Sequence, residues 1–147
     1  MYSPTLQKLI EIFSKFPTVG PRTAARFVFY LVKRPKKEID DLIKSLENLK
    51  KKIKICPLCF NTFEEEGEEI CKICQDPTRD KSLLCVVEKE IDMLAIEKTK
   101  KYNGLYFVLG GTIPRLKKNE IKQIRIKELF KRIKNDKTIK EIILALY

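Results

Sequence analysis

The sequence predicts a mixed α and β protein built from three successive parts. Apolar residues at helical spacing dominate the first third, four cysteines lie close together in the middle, and strand-like apolar runs alternate with helical stretches in the remainder. A chain of 147 residues is long enough for one ordinary domain or two to three small modules. We place the parts at residues 1–54, 55–79 and 80–147.

The first part is predicted to be helical. Apolar spacing indicates two helices within residues 5–34, separated by a turn of sequence PTVGP at residues 17–21. A third amphipathic helix is expected over residues 36–54, with Pro35 as its start signal. The apolar stripe of this third helix consists of Ile39, Leu42, Ile43, Leu46 and Leu49.

The middle part contains two C-x-x-C pairs, eleven residues apart: Cys56, Cys59, Cys71 and Cys74. Four thiolates at this spacing can converge on one zinc ion at about 2.3 Å and leave no open coordination position, so the expected zinc is structural. The intervening EEEGEE is expected to form a short hairpin with Gly67 at its turn. Two disulfides, or a redox-active C-x-x-C pair, are the alternatives; a reducing compartment disfavours the first and the duplicated pair disfavours the second.

The third part alternates strands and helices. The runs LLCVV, LYFVL and EIILALY are predicted strands, and the helical stretches between them predict parallel pairing through right-handed crossovers. Cys85 is expected to be a small buried apolar side chain, and Gly110-Gly111 to end the second strand. Because the sequence stops at Tyr147, inside the third run, we expect an unfinished sheet with an exposed edge.

The charge distribution indicates an anionic partner. The net charge is +11, and residues 1–54 hold 13 basic and five acidic residues, against 18 and 15 in the remainder. The excess at the N-terminal end is what a local anion-binding surface requires. No apolar run approaches the roughly 18–20 residues of a membrane span, and the N-terminus lacks the pattern of a signal peptide, so we expect a cytoplasmic protein with reduced thiols.

The PTVGP turn is the strongest local indication of nucleic-acid binding. In a helix-hairpin-helix, a turn of hydrophobic-x-Gly-hydrophobic-Gly type directs the free N–H groups of its second helix at a phosphate. Gly20 fits the end of that turn, and Arg22 and Arg26 are spaced to share one face of the second helix. Thr18 stands where such turns usually have their first glycine. The alternative is an ordinary helical hairpin whose arginines are merely solvated.

The order of these parts resembles the RecR family of bacterial recombination mediators. The resemblance is carried by FPTVGPRTAARFVFYL, by CPLC and CKIC with DPTRD, and by LLCVVE, DMLAIEKTKKYNGLYFVLGG and KEIILA. It covers essentially the whole chain. It implies an N-terminal helix-hairpin-helix bundle, a small zinc finger with four cysteine ligands, and the front of a parallel α/β Toprim domain, with the C-terminal remainder of the family architecture missing.

The resemblance also implies a function. RecR-like proteins are not enzymes; they surround DNA as rings or clamps and, with a RecO-like and possibly a RecF-like partner, help to load recombinase during repair of gaps and breaks. By this resemblance Gly20, Arg22 and Arg26 contact DNA, and Glu88 occupies the Toprim acidic position, which is linked to partner and DNA engagement. Because the C-terminal contact region is missing, we expect self-association through the N-terminal region, as a dimer at most.

A Toprim-type nuclease or primase is one alternative. Such enzymes hold divalent metal with a glutamate and a separate acidic pair. Glu88 is a candidate for the first ligand, but the sequence contains no D-x-D and no histidine. A plain solvated carboxylate is the other interpretation of Glu88.

An RNA-binding zinc-ribbon protein is a further alternative, and it would require exposed aromatic side chains for base stacking. The aromatic residues lie mainly at core-like spacings, which disfavours this class: Phe13, Phe27, Phe29, Tyr106 and Phe107.

Overall fold

A computed structural model of the chain describes residues 1–112 and 124–146. The chain divides into two compact units, Met1–Lys51 and Lys52–Tyr147. The helices are α1 (Pro4–Ser14), α2 (Pro21–Val32), α3 (Lys36–Lys52), α4 (Lys72–Gln75), α5 (Glu90–Lys98) and α6 (Ile126–Asn135). The strands are β1 (Ile53–Ile55), β2 (Thr62–Glu64), β3 (Asp80–Val87), β4 (Gly104–Val108) and β5 (Glu141–Ala145). Within the described ranges, none of the helices combines the length and apolar character that crossing a bilayer requires.

The first unit is built on a hairpin of α1 and α2. The Ser3 hydroxyl caps α1 by accepting from the Leu6 N–H, and a proline opens each helix, where no N–H donor is needed. The two helices share a small core in which alanine side chains allow close approach. Its buried members are Ile10, Ala24, Ala25 and Val28, with Leu6, Leu9, Phe13 and Val19 packed around them. The predicted helical hairpin is confirmed.

Helix α3 begins directly after Pro35, as predicted, but ends at Lys52 rather than residue 54. The two residues that follow pair as part of β1, and strand pairing there replaces the last helical turn. The predicted apolar stripe is present, yet no residue of α3 is buried. Four stripe residues are 40–55% exposed: Leu42, Ile43, Leu46 and Leu49.

An antiparallel hairpin of β1 and β2 surrounds the first cysteine pair. The hairpin loop is closed by hydrogen bonds from the Cys56 N–H to the Asn61 oxygen and from the Phe60 N–H to the Cys56 oxygen, both 2.8 Å long. The prediction that EEEGEE itself forms the hairpin is therefore wrong. Only its first residue, Glu64, belongs to a strand, because the compact loop around the first cysteine pair brings the two strands together earlier. Gly67 has φ of 100°, a left-handed conformation that suits glycine.

The second unit contains a three-stranded sheet with the order β4-β3-β5, in which both pairings are parallel. This confirms the predicted parallel α/β arrangement. Side chains alternate between two cores on either face of β3. One core comprises Leu84, Val86, Leu105, Phe107 and Leu109, and receives Leu129 and Ile133 of α6. The other comprises Cys85, Val87, Met93, Tyr106 and Val108, and receives Ile96 of α5.

Cys85 lies in the second of these cores, as the sequence predicts. Burial raises the pKa of its thiol. The thiol therefore behaves as a small apolar group in the middle of the sheet.

Strand β5 forms one edge of the sheet. It pairs with β3 on one side, from Glu141 opposite Leu83 to Ala145 opposite Val87. Ile142, Ile143 and Leu144 are exposed, so apolar side chains on both faces of β5 meet solvent in the described part of the chain. This agrees with the expected exposed edge.

An ion pair fixes the DPTRD segment to the sheet. The largely buried Arg79 guanidinium donates to the Glu97 carboxylate of α5 and, over 3.2 Å, to the carbonyl oxygen of Gly104 at the start of β4. The hydrogen bonds from Arg79 lower the pKa of Glu97. Arg79 thus connects the end of the cysteine-bearing element with a helix and a strand of the α/β part.

Candidate metal centre and nucleic-acid interface

The four predicted zinc ligands come together in one buried cluster. The Sγ atoms of Cys56, Cys59, Cys71 and Cys74 all lie within 4.8 Å of one another. The Cys59 and Cys71 sulfurs are 3.5 Å apart. Tetrahedral coordination with Zn–S bonds of about 2.3 Å places sulfur atoms about 3.8 Å apart, so the cluster has the dimensions of a four-thiolate zinc centre. No cysteine forms a disulfide, and the predicted disulfide alternative is wrong.

Two different local structures deliver the ligands. The first pair lies in the β1–β2 hairpin loop, whereas Cys71 is the N-cap residue of the short helix α4 and Cys74 lies within that helix. The Cys71 N–H points at the Cys56 sulfur over 3.5 Å, as is favourable for a thiolate. Hydrogen bonding with Cys59 lowers the pKa of Cys56, while hydrogen bonding with Cys56 raises the pKa of Cys59 and of Cys74. The four groups can ionise together only if a cation compensates their charge.

The first cysteine pair is also attached to the sheet. The N–H of Val108 donates to the Cys59 oxygen over 2.7 Å, and the Phe60 ring packs edge-on against Phe107 with centroids 5.3 Å apart. The Arg132 guanidinium of α6 donates to the carbonyl oxygens of Leu58, at 2.5 Å, and Tyr106, at 3.0 Å. Sequence reasoning missed these residues, because no local pattern marks an arginine that pairs with a loop 74 residues earlier.

Zinc removal is predicted to unfold residues 55–79. A segment this short has no core of its own, and in zinc-finger peptides about 10–16 kcal/mol of zinc binding free energy is available for folding. Cys59→Ser should lower the zinc content well below one ion per chain and reduce the free energy of unfolding by several kcal/mol. Elemental analysis and urea unfolding measure the two effects.

Cys85→Ala is the matched control, since it removes a buried thiol outside the cluster. It should keep one zinc per chain. Freshly purified, reduced wild-type protein without zinc would contradict the assignment.

The turn between α1 and α2 leaves the N-terminus of α2 open. Gly20 is the N-cap residue, with extended backbone and no side-chain capping bond to the first N–H groups of the helix. Its carbonyl oxygen accepts from the Ala24 N–H at 2.9 Å, which begins the helical pattern. Apart from Gly20 and its two chain neighbours, no heavy atom of the described residues lies within 4 Å of the position that a Cβ on Gly20 would occupy. The free N–H groups and the open space are the features of a phosphate-binding helix terminus.

Thr18 takes the conformation that the absent glycine would take. Its φ is +64°, so the turn keeps its shape although a β-branched residue occupies it. The left-handed conformation costs an L-residue roughly 1–2 kcal/mol. The departure from the helix-hairpin-helix pattern therefore takes the form of backbone strain at Thr18. The turn still closes, because the Val19 N–H donates to the Phe16 oxygen over 3.1 Å.

Arg22 and Arg26 are both exposed, on the first two turns of α2. Among the residues that the structure describes, no carboxylate lies within 4.0 Å of either guanidinium. Glu11 is the one acidic residue in the first 35 positions, and it accepts instead from the Gln7 amide. Both arginines are available to an external anion.

Thr18→Gly is predicted to stabilise the first unit. The substitution removes the left-handed strain, and the added freedom of glycine in the unfolded chain offsets part of the gain, which leaves a rise of about 0.5–1 kcal/mol in the free energy of unfolding. Urea unfolding followed by helical circular dichroism measures it.

Thr23→Gly is the matched substitution within α2, and it should lower stability by a few tenths of a kcal/mol. Equal losses in both variants would show that Thr18 is not strained.

Glu88 immediately follows β3 at the carboxyl end of the sheet. It is only 6% exposed, so the interpretation as a plain solvated carboxylate is wrong. Its carbonyl oxygen accepts from the Gly110 N–H at 2.9 Å, and Gly110 and Gly111 both have positive φ. The two glycines thus let the chain beyond β4 turn past Glu88 at the sheet edge where α/β proteins bind ligands and partners.

The aromatic residues divide into two groups. Tyr106 and Phe107 are fully buried in the sheet, as their spacing predicts. Phe27 and Phe29 are 42% and 40% exposed, so their assignment to a core is wrong; the α1–α2 core is filled by small side chains and leaves them at its rim.

The chain thus combines a helical hairpin with an open helix N-terminus, a four-cysteine metal centre and a parallel α/β sheet with a buried acidic residue at its carboxyl end. These features define a helix-hairpin-helix and Toprim protein. Family models match accordingly: the helix-hairpin-helix of RecR over residues 6–50 and the Toprim domain over residues 82–146.

Similar proteins agree with this class. The chain is 41% identical over 145 residues to the recombination protein RecR of Cutibacterium acnes, covering 99% of this chain and 70% of that protein. It is 41% identical to RecR of Rippkaea orientalis, with 99% and 72% covered, and 43% identical to RecR of Rubrobacter xylanophilus, with 98% and 70% covered. The chain belongs to the RecR family of recombination mediators, which act in DNA repair and recombination.

Proposed function

We propose that this protein binds DNA through the α1–α2 hairpin and acts, with a RecO-like partner, to help load recombinase at gaps and breaks. The observation that carries the proposal is the pairing of an uncapped α2 N-terminus with two exposed arginines that have no carboxylate partner within the described residues. The helix terminus offers N–H groups and partial positive charge to one phosphate. Arg22 and Arg26 extend the same side of the helix and supply charge for neighbouring phosphates.

Phosphate contacts predict binding with little sequence preference. N–H groups and guanidinium groups at the hairpin reach the nucleic-acid backbone, which carries no base code. The first unit presents a short turn and a helix end, with Gly20 giving close access. A strongly salt-dependent affinity is expected from such contacts.

We assign the four-cysteine cluster to one structural zinc ion. The sulfur distances and the burial of all four ligands support this assignment. We propose a functional division into residues 1–54, 55–79 and 80–147, with DNA binding in the first part, zinc in the second and the Toprim-like sheet in the third. Five cysteines without a disulfide are typical of a reducing compartment, so we place the protein in the cytoplasm.

We propose a non-enzymatic role for the Toprim-like part. Metal-dependent Toprim chemistry needs a glutamate together with a separate acidic pair, and the sequence contains Glu88 but no D-x-D. Glu88 and the glycine pair beside it are instead the part of the sheet edge that we assign to engagement of a RecO-like, and possibly a RecF-like, protein. The low exposure of Glu88, at 6% of the residue, supports a positioned side chain rather than a freely solvated charge.

Replacing Arg22 and Arg26 by alanine should weaken DNA binding for all sequences alike. Each lost phosphate contact lowers the slope of log affinity against log salt by about 0.9 for duplex DNA, so the double variant should lose about 1.8. Fluorescence anisotropy titrations at several salt concentrations measure this slope.

The control is the Lys98→Ala/Lys101→Ala variant, which removes the same charge from exposed positions in the second unit. It should change the slope by much less. Equal slopes for the arginine variant and the wild type would refute the hairpin as the DNA contact.

We further propose that the first unit self-associates through α3, as a dimer at most. A unit of 51 residues is too small to bury all of its own apolar side chains. One side of α3 carries an exposed apolar stripe, formed by Leu42, Ile43, Leu46 and Leu49. A second copy offers the same stripe, as a two-fold interface requires.

Light scattering should therefore give a mass near twice 17.3 kDa, and Leu46→Glu should return it to one chain. The matched control is Asn48→Glu, which adds the same charge on the opposite side of α3 and should remain dimeric. A stable tetramer, or a Leu46→Glu dimer as strong as the wild type, would contradict this arrangement.

A further inference from the structure

One face of α6 combines an exposed aromatic ring with free positive charge. In a helix, residues spaced by three, four and seven positions lie on the same side. Lys127, Phe130, Lys131 and Lys134 have this spacing and are all exposed. The Phe130 side chain is 67% exposed, and we call these four residues the α6 basic face.

The opposite side of α6 already holds the helix in place. Leu129 and Ile133 pack against the sheet core, and Arg132 is hydrogen bonded to the carbonyl oxygens of Leu58 and Tyr106. Phe130 takes no part in these contacts, and no ring pair or cation contact involves it among the residues that the structure describes. The α6 basic face is therefore presented on a fixed helix rather than on a loop.

Local charge is strongly positive around this face. Residues 125–140 hold seven basic and two acidic residues. Of the two acids, Asp136 bonds to Thr138 and lies near Arg132 and Lys81, and Glu128 is exposed and lines the same cavity as Lys131. No carboxylate in the described ranges lies within 4.0 Å of the ammonium groups of the α6 basic face.

Basic residues also lie beyond the helix. The Lys140 N–H donates to the Ser82 oxygen at 2.9 Å, and the Thr138 hydroxyl, which donates to Asp136, lies 3.4 Å from the Lys81 oxygen. These contacts bring Lys81 and Lys140, both exposed, to the same edge of the sheet, with Lys137 three residues before Lys140 in the chain. Asp80 lies near Lys140 and Asp136 near Lys81, so this edge carries charges of both signs and the excess of positive charge is concentrated on α6 itself.

This combination fits a single-stranded nucleic acid. A basic groove or face follows the phosphates, while an aromatic ring stacks on an unpaired base, and stacking tolerates any sequence. In a duplex the bases are already stacked on one another, so an exposed phenylalanine would find no free base face. Positive charge alone would fit either a duplex or a single strand. The exposed Phe130 ring among the lysines favours the single strand, because it can stack on an unpaired base.

We propose that the α6 basic face is a second nucleic-acid contact, specific for single strands and separate from the α1–α2 hairpin. This proposal rests on the proposed function, because it assumes that the protein acts on DNA. It further specifies that the second unit binds single-stranded DNA. Phe130 would stack on a base, and Lys127, Lys131 and Lys134 would contact the phosphates on either side.

Tryptophan fluorescence can test the stacking directly, because the chain contains no tryptophan. Phe130→Trp places one such reporter at the proposed contact. Oligothymidylate should quench its emission, and duplex DNA of the same length should not. Ile91→Trp, at a position 72% exposed on α5, is the matched reporter away from the α6 basic face and should show no quenching. Equal behaviour of the two reporters would overturn the proposal.

Affinity measurements separate this contact from the hairpin. Phe130→Ala should weaken oligothymidylate binding about tenfold, within the range of about 1–3 kcal/mol for one stacked base, and leave duplex binding unchanged. Lys127→Gln/Lys131→Gln/Lys134→Gln should lower the single-strand salt slope by about 2, since each phosphate contact contributes about 0.7. Both effects should persist in an Arg22→Ala/Arg26→Ala background.

The outcomes distinguish the two proposals. Loss of duplex binding in the arginine variant, with no effect of the Phe130 and lysine changes, would overturn the α6 contact alone. Quenching of the Phe130→Trp reporter, together with unchanged duplex binding in the arginine variant, would overturn the hairpin contact alone. If Phe130→Ala weakens duplex and single-strand binding equally, Phe130 does not act by stacking on an unpaired base and the single-strand assignment is wrong.

Discussion

The structure of the second unit depends on the cluster formed by four cysteine sulfur atoms. The cysteine-bearing element has two three-residue strands and a four-residue helix, too little to bury a core, so the thiol cluster takes the place of one. The same element is tied to the sheet by the bond from the Val108 N–H to the Cys59 oxygen. Disruption of the metal centre would therefore disturb β4 through the Val108–Cys59 hydrogen bond. It would also disturb the edge of the sheet where Glu88 lies.

Much of the fold could be predicted from local patterns. The helices α1, α2 and α3 follow from apolar spacing and from proline positions, and the strands β3, β4 and β5 follow from short apolar runs. The metal centre follows from the spacing of Cys56, Cys59, Cys71 and Cys74, since the geometry of zinc leaves few alternatives. These features share one property: the physical cause lies within a few residues of its effect.

What could not be predicted depends on contacts between distant residues. The sequence predicts the hairpin in EEEGEE, where Gly67 suggests a turn, whereas the loop around the first cysteine pair determines where β1 and β2 meet. Phe27 and Phe29 have core-like spacing but lie at the rim of a core too small to hold them. The total charge of residues 55–147 does not reveal the α6 basic face, because the five glutamates of EEEGEE offset its lysines in that total.

The exposed edge of β5 has a practical consequence for handling the protein. Among the described residues β5 pairs on one side only, and an unpaired strand edge with apolar side chains on both faces is a template for pairing with another copy. A net charge of +11 keeps copies apart in dilute buffer. Concentrated salt, which would strip nucleic acid bound as proposed for the α1–α2 hairpin, shortens the screening length to about 3 Å at 1 M and removes that repulsion. The cleanest preparations would thus also be the least colloidally stable, unless salt is withdrawn once the nucleic acid is gone.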